Sequence, residues 1–153
     1  MTFGLVRYAL RLLITATAFG VATGCSHLVV LHDPLSASEH NDLGVAYESS
    51  GQPRLAAREY KKSLRPDPHA SRTWVNLGNA QAAQEQWHAA EKSYRHALRD
   101  SASNSDALNN LAVVIHRQGG RDPEAKSLAS RAVASGGARD SVYRETLREV
   151  SSQ

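Results

Sequence analysis

The sequence predicts an all-α protein made of about three stacked helix pairs and closed by one further helix. Three observations lead to this prediction. Apolar and small residues recur every 34 residues between positions 37 and 135. A helix-start signal precedes the first of these units, and an amphipathic stripe follows the last. Because a single helix pair cannot bury its own apolar face, units of this length are expected to stack on one another.

The recurrence is clearest at small and aromatic positions. The pair Leu43-Gly44 recurs as Leu77-Gly78 and then as Leu111-Ala112, at steps of 34 residues. The residues Ala56, Tyr60 and Leu64 recur as Ala90, Tyr94 and Leu98. Together these positions predict units 37–70, 71–104 and 105–137. In the third unit, Gly119-Gly120 adds one residue and moves the later matches Ala125, Ala132 and Val133 to a spacing of 35.

The array has recognisable ends. Ser36 and Glu39 have capping-box spacing, which predicts a helix start near Ala37. Helix pairs are expected near 37–65, 71–99 and 105–135, with a capping helix and tail over 138–153, so seven helices in all. In that tail the apolar stripe is Tyr143, Leu147 and Val150, and the opposite side carries Arg144, Glu145, Arg148 and Glu149. Such a helix can cover the last unit and present a polar outer side.

These residues resemble the tetratricopeptide-repeat (TPR) family over about two thirds of the chain. The second unit has Trp74, Asn76, Leu77, Gly78, Trp87, Ala90, Tyr94, Ala97 and Leu98 at the family's spacing. The first keeps Leu43, Gly44, Tyr47, Gly51, Ala56, Tyr60, Leu64 and Asp67-Pro68, and the third keeps Asn110, Leu111, Ala112 and Gly119. The resemblance implies a right-handed TPR superhelix. In it, small residues let paired helices approach, and Trp74 and Trp87 belong to the core.

The N-terminus has the features of a secretion signal over residues 1–24. Arg7 and Arg11 precede the uncharged, mostly apolar stretch 12–21, which is shorter than a membrane span requires. The sequence Ala-Thr-Gly-Cys at 22–25 resembles a bacterial lipobox, and this resemblance implies a palmitate-bearing lipoprotein anchored at Cys25. By lipoprotein sorting rules, Ser26 implies the outer membrane, facing the periplasm. The alternative is an ordinary signal or short anchor with an incidental cysteine.

Residues 25–36 are predicted to be a tether. Its apolar run 28–31 is expected to pack against the first helix, with a partner-binding strand as the alternative. Loss of residues 1–24 would remove two of the 18 basic residues and none of the 15 acidic ones. The remaining charge is nearly balanced and does not indicate nucleic-acid binding.

The sequence contains no pattern typical of catalysis or metal binding. A single cysteine allows neither an internal disulfide nor a CxxC pair. The histidines, at 27, 32, 40, 69, 88, 96 and 116, do not have zinc-site spacing. Glycine-rich phosphate loops and nucleophile motifs are also missing. We therefore expect a protein without a cofactor that is not an enzyme and acts by binding other proteins.

The TPR resemblance implies where binding occurs. In TPR proteins the concave surface is formed mainly by the first helix of each pair. The corresponding candidates here are Asn41, Val45, Arg72, Val75, Asn79, Asp106, Asn109, Val113 and His116, flanked by Ser38, Glu48 and Ala82. Asparagine can pair with the backbone of an extended peptide, and valine can accept apolar side chains.

Some family positions are not candidates for the groove. Asn76 and Asn110 are assigned a structural role, because asparagine is common at that family position. Asp106 stands where chaperone-binding TPR domains have a lysine, which argues against a receptor for chaperone C-terminal tails. The alternative to groove binding is the outer face, with Arg58, Lys62, Lys92 and Arg95, or the tether.

Two functions follow from the resemblance. The first is a membrane-anchored periplasmic adaptor that assists assembly of a pilus, a secretion system or a polysaccharide export machine. The second is a non-catalytic docking or regulatory subunit for an envelope peptidase or peptidoglycan hydrolase. The sequence leaves the partner and the oligomeric state open.

Overall fold

The computed structural model describes residues 33–152. The predicted signal peptide, Cys25 and the tether up to residue 32, with its apolar run 28–31, lie outside the described residues. Within that range the chain forms seven α-helices: α1 (Ala37–Ser49), α2 (Pro53–Ser63), α3 (Ser71–Ala82), α4 (Trp87–Asp100), α5 (Ser105–Gln118), α6 (Asp122–Ser135) and α7 (Asp140–Glu149). This confirms the predicted fold class and the predicted helix pairs.

Local side-chain chemistry accounts for the helix starts. The hydroxyl of Ser36 accepts from the Glu39 N–H at 3.3 Å, and the Ser36 N–H donates to the Glu39 carboxylate at 2.8 Å. This reciprocal capping box begins α1 as predicted. Asn104 caps α5 by accepting from the Ala107 N–H at 3.0 Å. A proline lies in the first turn of α2 and of α6, where its missing N–H costs no hydrogen bond.

The stacking of the helices defines two surfaces. Each helix packs against the next in the chain, and the first helices also contact one another, α1 with α3 and α3 with α5. Within residues 33–152, the second helices α2, α4 and α6 make no such backbone contact with one another. The array is therefore closed on the side of α1, α3 and α5, called here the first-helix surface. It opens into clefts on the side of α2, α4 and α6, called the second-helix surface.

Close packing within the first two pairs depends on glycine facing tyrosine. Tyr60 and Tyr94 are almost fully buried, and their rings lie directly against Gly44 and Gly78. A methyl group on Gly78 would lie 2.5 Å from Cε1 of Tyr94, which is closer than van der Waals contact permits. The glycines therefore allow each helix pair to close around its tyrosine.

The third pair accommodates its extra residue at the turn between its helices. Helix α5 extends to Gln118, and Gly119 and Gly120 then adopt φ values of 74° and 76°. Left-handed backbone of this kind suits glycine and ends the helix. The inserted residue thus lengthens the first helix and its turn, and the apolar contacts of α6 are preserved with Ala125, Leu128, Ala129 and Ala132 buried.

Helix α7 covers the end of the array. It packs against α5 and α6. Its Tyr143 and the residue directly after the helix, Val150, are buried in the same core as those helices. Four side chains on the opposite side are exposed: Arg144, Glu145, Arg148 and Glu149. The predicted amphipathic cap is therefore confirmed.

Candidate protein-binding surface

The nine predicted groove residues all lie on α1, α3 and α5, and they differ in accessibility. Val45 is 39% exposed, and Arg72 is also exposed. Five residues are half-buried: Asn41, Asn79, Asp106, Val113 and His116. The remaining two, Val75 and Asn109, are 7% and 2% exposed. The accessible part of the predicted groove is therefore smaller than the sequence indicated.

The predicted place of Val75 and Asn109 on an accessible surface is wrong. Val75 belongs to the core formed by the second and third pairs, where the packing of α3 against its neighbours encloses it. The amide of Asn109 donates to the Asn110 side chain at 3.2 Å, while its Oδ1 is buried and accepts no hydrogen bond from residues 33–152. Both side chains lie on the flank of their helix that meets the rest of the stack, which a position count along one helix does not reveal.

Asparagines join successive first helices through a series of side-chain hydrogen bonds. Asn41 Oδ1 accepts from Asn76 Nδ2 at 3.1 Å, and Asn79 Oδ1 accepts from Asn110 Nδ2 at 2.9 Å. We call these four residues the asparagine ladder. Asn79 Oδ1 also accepts from the Tyr94 hydroxyl at 2.8 Å. The structural role expected of Asn76 and Asn110 is confirmed, and two predicted groove residues prove to be their acceptors.

Asp106 continues this pattern into the cap. Its carboxylate accepts from the Tyr143 hydroxyl at 2.8 Å and from Arg139 Nη1 at 3.0 Å. Burial raises the pKa of Tyr143 to about 12, and the bond to Asp106 acts in the same direction. Since Arg139 offsets its charge, Asp106 would repel an incoming carboxylate less than the sequence analysis implied.

Some of this surface remains free to bind a partner. We define the accessible strip as Asp42, Val45, Arg72, Asn79 and Val113, contributed by all three first helices. Asn79 takes part in the ladder through its oxygen only. Its Nδ2 hydrogens donate to no group within the described chain and are available to a partner. The strip combines a carboxylate at the α1 end, a guanidinium on α3, an amide donor and two apolar side chains. It can bind an extended peptide through backbone carbonyl groups and small apolar contacts.

The sequence contained a signal for the asparagine ladder. Asparagines at neighbouring positions of successive units, such as Asn41 with Asn76 and Asn79 with Asn110, are separated by 35 and 31 residues. Asparagines separated by slightly more or slightly less than the 34-residue period face each other across adjacent first helices. A separation of 34 residues only places two residues at equivalent positions of successive units.

The proposed alternative residues on the second-helix surface are partly engaged in ion pairs. Arg58 and Lys62 both lie within 3.2 Å of the Glu59 carboxylate, which is itself buried. Arg95 contacts Glu91 at 2.9 Å and Glu124 at 2.6 Å. Lys92 is exposed. Among the four cations, Lys92 alone makes no ion pair with a residue of the described chain.

The tryptophans are held in place by their surroundings. Trp74 donates its indole N–H to the Pro68 carbonyl at 2.8 Å and stacks on His96 with ring centroids 4.2 Å apart. Trp74 and Trp87 are both partly buried against the core.

In residues 33–152 no cluster of three or more histidine, cysteine or acidic side chains could hold a metal ion. None of the described helices is long and apolar enough to cross a bilayer.

Comparison with known proteins agrees with this architecture. Residues 41–85 and 75–140 match the family model of the tetratricopeptide repeat. The type IV pilus assembly protein PilF of Pseudomonas aeruginosa is 31% identical over 84 residues, which are 54% of this chain and 33% of PilF. This chain therefore matches only about a third of that relative's length.

Two solved structures have the same fold. One is the first TPR domain of Spaghetti (RPAP3) bound to an HSP90 peptide, with a TM-score of 0.70, 20% identity, and coverage of 75% of this chain and 90% of that one. The other is the Yersinia enterocolitica type III secretion chaperone SycD with a peptide of the translocator YopD. Its TM-score is 0.68, with 18% identity and coverage of 74% and 91%. At these identities the likeness concerns the fold.

Proposed function

The chain belongs to the tetratricopeptide-repeat family, and from this premise we propose that it is a membrane-anchored adaptor of the bacterial envelope that assists assembly of an envelope machine. The observation that supports this most directly is the 31% identity to a type IV pilus assembly protein over 84 residues. The adaptor acts by binding other proteins and is not itself an enzyme. A pilus is the first machine to test, followed by secretion and polysaccharide export systems.

We assign partner binding to the accessible strip. Two structures of similar fold hold peptides, one from HSP90 and one from the translocator YopD, which makes an extended peptide a reasonable ligand class here. Asn79 Nδ2 supplies a donor for a peptide carbonyl, Val45 and Val113 supply apolar contact, and Arg72 supplies positive charge. Each hydrogen bond contributes only about 0.5 to 1.5 kcal/mol net, so affinity depends on several such contacts acting together.

The ladder determines which variants can test this proposal. Replacing Asn41 and Asn79 with alanine would remove bonds that join adjacent first helices, at about 0.5 to 1.5 kcal/mol of stability per bond. Loss of binding in that double variant would therefore not distinguish a less stable fold from a lost contact with the partner. Val45 and Arg72 are better targets, because both are exposed and neither belongs to the ladder.

Photocrosslinking in the bacterial cell tests the strip directly. With a photoreactive amino acid at Val45, we expect a discrete crosslinked partner that is strongly reduced by Arg72→Glu. The matched control is Lys126→Glu, which makes the same charge change at an exposed position of α6 on the second-helix surface. Equal crosslinking in the Arg72→Glu and Lys126→Glu proteins would contradict binding at the strip.

The lipid anchor is a separate part of the proposal, supported by the lipobox-like sequence before Cys25. A clickable palmitate analogue should label the wild type and not Cys25→Ser, and only the wild type should fractionate with the outer membrane. Because a single acyl chain binds membranes only marginally, stable attachment is expected to require multiple acylation. A wild-type protein that carries no label and fractionates as soluble would argue against the anchor, whatever the outcome for the strip.

A chromosomal deletion tests the cellular role. We expect loss of surface pili or of secreted products, restored by the wild type and by Lys126→Glu, and not by Arg72→Glu. Muropeptide analysis of the same strains addresses the alternative function. Normal pili and secretion with altered peptidoglycan cross-linking would replace the assembly role with docking of a hydrolase.

A further inference from the structure

The second-helix surface contains two adjoining clefts. One cleft, of about 330 Å³, lies between α2 and α4, and the other, of about 560 Å³, lies between α4 and α6. Lys92 and His96 of α4 line both. The clefts therefore lie on the two sides of one helix and can be filled by a single ligand that crosses it. We call them the paired clefts.

The paired clefts have apolar floors. Leu64, Trp74 and Leu77 contribute to the first, and Leu98, Leu111 and Leu128 contribute to the second. The second helices of successive pairs do not contact one another, so part of the apolar layer beneath them stays open to solvent. Trp74 and Leu98 are its partly exposed members, whereas Leu64, Leu77, Leu111 and Leu128 are buried and form the base on which they rest. Covering apolar surface of this kind with a ligand contributes favourably to the free energy of binding.

The rim of the paired clefts is strongly basic. Six cationic side chains line them: Lys61, Arg65, Lys92, Arg95, Arg99 and Arg131. No carboxylate is among the residues that line either cleft. Arg95 is held by Glu91 and Glu124, and Arg131 donates to the Ala102 carbonyl at 3.1 Å. The exposed side chains of Lys61, Arg65 and Lys92 leave the rim with uncompensated positive charge.

This combination selects the chemistry of the ligand. Positive charge around a cleft attracts an anionic partner and speeds its association, while apolar floors require apolar side chains that enter the clefts. A flat lipid surface would meet the rim cations and leave the floors unfilled. We propose that the paired clefts bind an acidic segment of a partner protein in which carboxylates alternate with apolar side chains, at a second site separate from the accessible strip.

A defined peptide tests this proposal on the purified full chain. The probe is a fluorescently labelled synthetic peptide in which glutamate and leucine alternate. One control peptide replaces glutamate with lysine, and another replaces leucine with serine. We expect measurable binding of the glutamate–leucine peptide that weakens as salt is raised, with both controls about tenfold weaker or more. Equal binding of the serine control would refute the role of the apolar floors.

Matched charge reversals locate the binding site. Lys61→Glu/Lys92→Glu should weaken peptide binding about tenfold or more, since both positions belong to the rim. Lys126→Glu/Arg148→Glu makes the same change in net charge at positions outside both the clefts and the accessible strip, and should leave affinity within about twofold. All four positions are exposed, so both proteins are expected to retain the helical circular dichroism of the wild type. Equal losses in the two variants would refute the proposed site.

Anionic vesicles provide the competing outcome. Phosphatidylglycerol vesicles should bind weakly and should not distinguish the two double variants. If the vesicles bind in a manner that requires Lys61 and Lys92 while the peptide does not bind, the surface is a lipid site and the peptide proposal is overturned. These outcomes are independent of the crosslinking at Val45, because none of the strip residues lines the clefts.

Discussion

Gly78 and Tyr94 show how single residues set the geometry of a helix pair. The tyrosine ring occupies the space in which a side chain at position 78 would project, so the two residues depend on each other. The third pair lacks this combination, with Ala112 at the glycine position and Ala129 at the tyrosine position when the one-residue insertion is counted. Both alanines are fully buried. A small residue is therefore required at this position mainly where a large ring faces it.

Replacing Gly78 with alanine is expected to destabilise the protein by about 1 to 3 kcal/mol, as overpacking of a core usually does. Helix propensity alone would predict the opposite sign, with a gain of about 1 kcal/mol. Urea unfolding of Gly78→Ala decides between them. In a Tyr94→Ala background the same substitution should become neutral or stabilising. Stabilisation by the same amount in both backgrounds would show that the ring does not limit the position.

At the scale of elements, Glu91 connects α4 to the end of α5 and the start of α6. Arg121 binds its carboxylate through two hydrogen bonds of 2.8 Å each, and Gln118 and Arg95 add further donors. The bonds from Arg121 lower the pKa of Glu91 to about 2 against the opposing effect of burial, with Gln118 and Arg95 assisting. Arg121 directly follows Gly119-Gly120, the turn that contains the one inserted residue. This altered turn of the third unit therefore places Arg121 in contact with Glu91 of the second unit.

This pKa shift predicts a pH-dependent contribution to stability. A carboxyl group with a lowered folded-state pKa stabilises the fold above its unfolded pKa, and the effect is lost as the pH falls through the folded value. Glu91→Gln should therefore lower the free energy of unfolding near neutral pH by on the order of 2 kcal/mol. The difference from wild type should shrink as the pH falls from about 4.5 to about 2.

Urea unfolding across that range measures the effect. Glu145→Gln, which removes an exposed carboxylate of α7, serves as the control and should change stability little at any pH. A Glu91→Gln deficit that stays constant down to pH 2 would mean that the network acts through packing and not through charge.

At the scale of the molecule, the array has one closed surface and one open surface, and its last pair is covered by α7. Within the described chain each helix pair contacts only its neighbours. The stability of the array therefore depends on the interface between each two successive pairs. The first-helix surface is joined by the asparagine ladder and then by Asp106 to Arg139 and Tyr143 of the cap region. The cap thus continues both the apolar core and the polar contacts of the preceding units.

Deleting residues 139–153 should expose the last pair's apolar face and remove the buried Tyr143 and Val150. We expect a clearly lower Tm in a circular dichroism melt, together with aggregation detected by light scattering. Deletion of residues 151–153 alone is the control and should melt like the full chain, since Ser151 and Ser152 are exposed. An unchanged melting curve after the larger deletion would show that α7 contributes nothing to the stack.

The sequence by itself determined the number, type and approximate bounds of the helices in the described chain. The 34-residue recurrence, the Ser36 capping box and the stripe through Tyr143 report contacts that are local or confined to one unit and its equivalents. The spacing of residues in the sequence predicts such contacts, because side chains three, four or 34 residues apart occupy related positions on the helices. The glycine–tyrosine pairing was readable for the same reason.

Only the tertiary structure decided which polar groups remained available for a partner. Asn41, Asn79 and Asp106 were equally good groove candidates in the sequence, yet their oxygens are bound by the next unit or the cap. Val75 and Asn109 are enclosed by the stack, and the paired clefts appear because the second helices stand apart. The physical reason is that burial and hydrogen-bond satisfaction are properties of the interface between units, set by both partners at once.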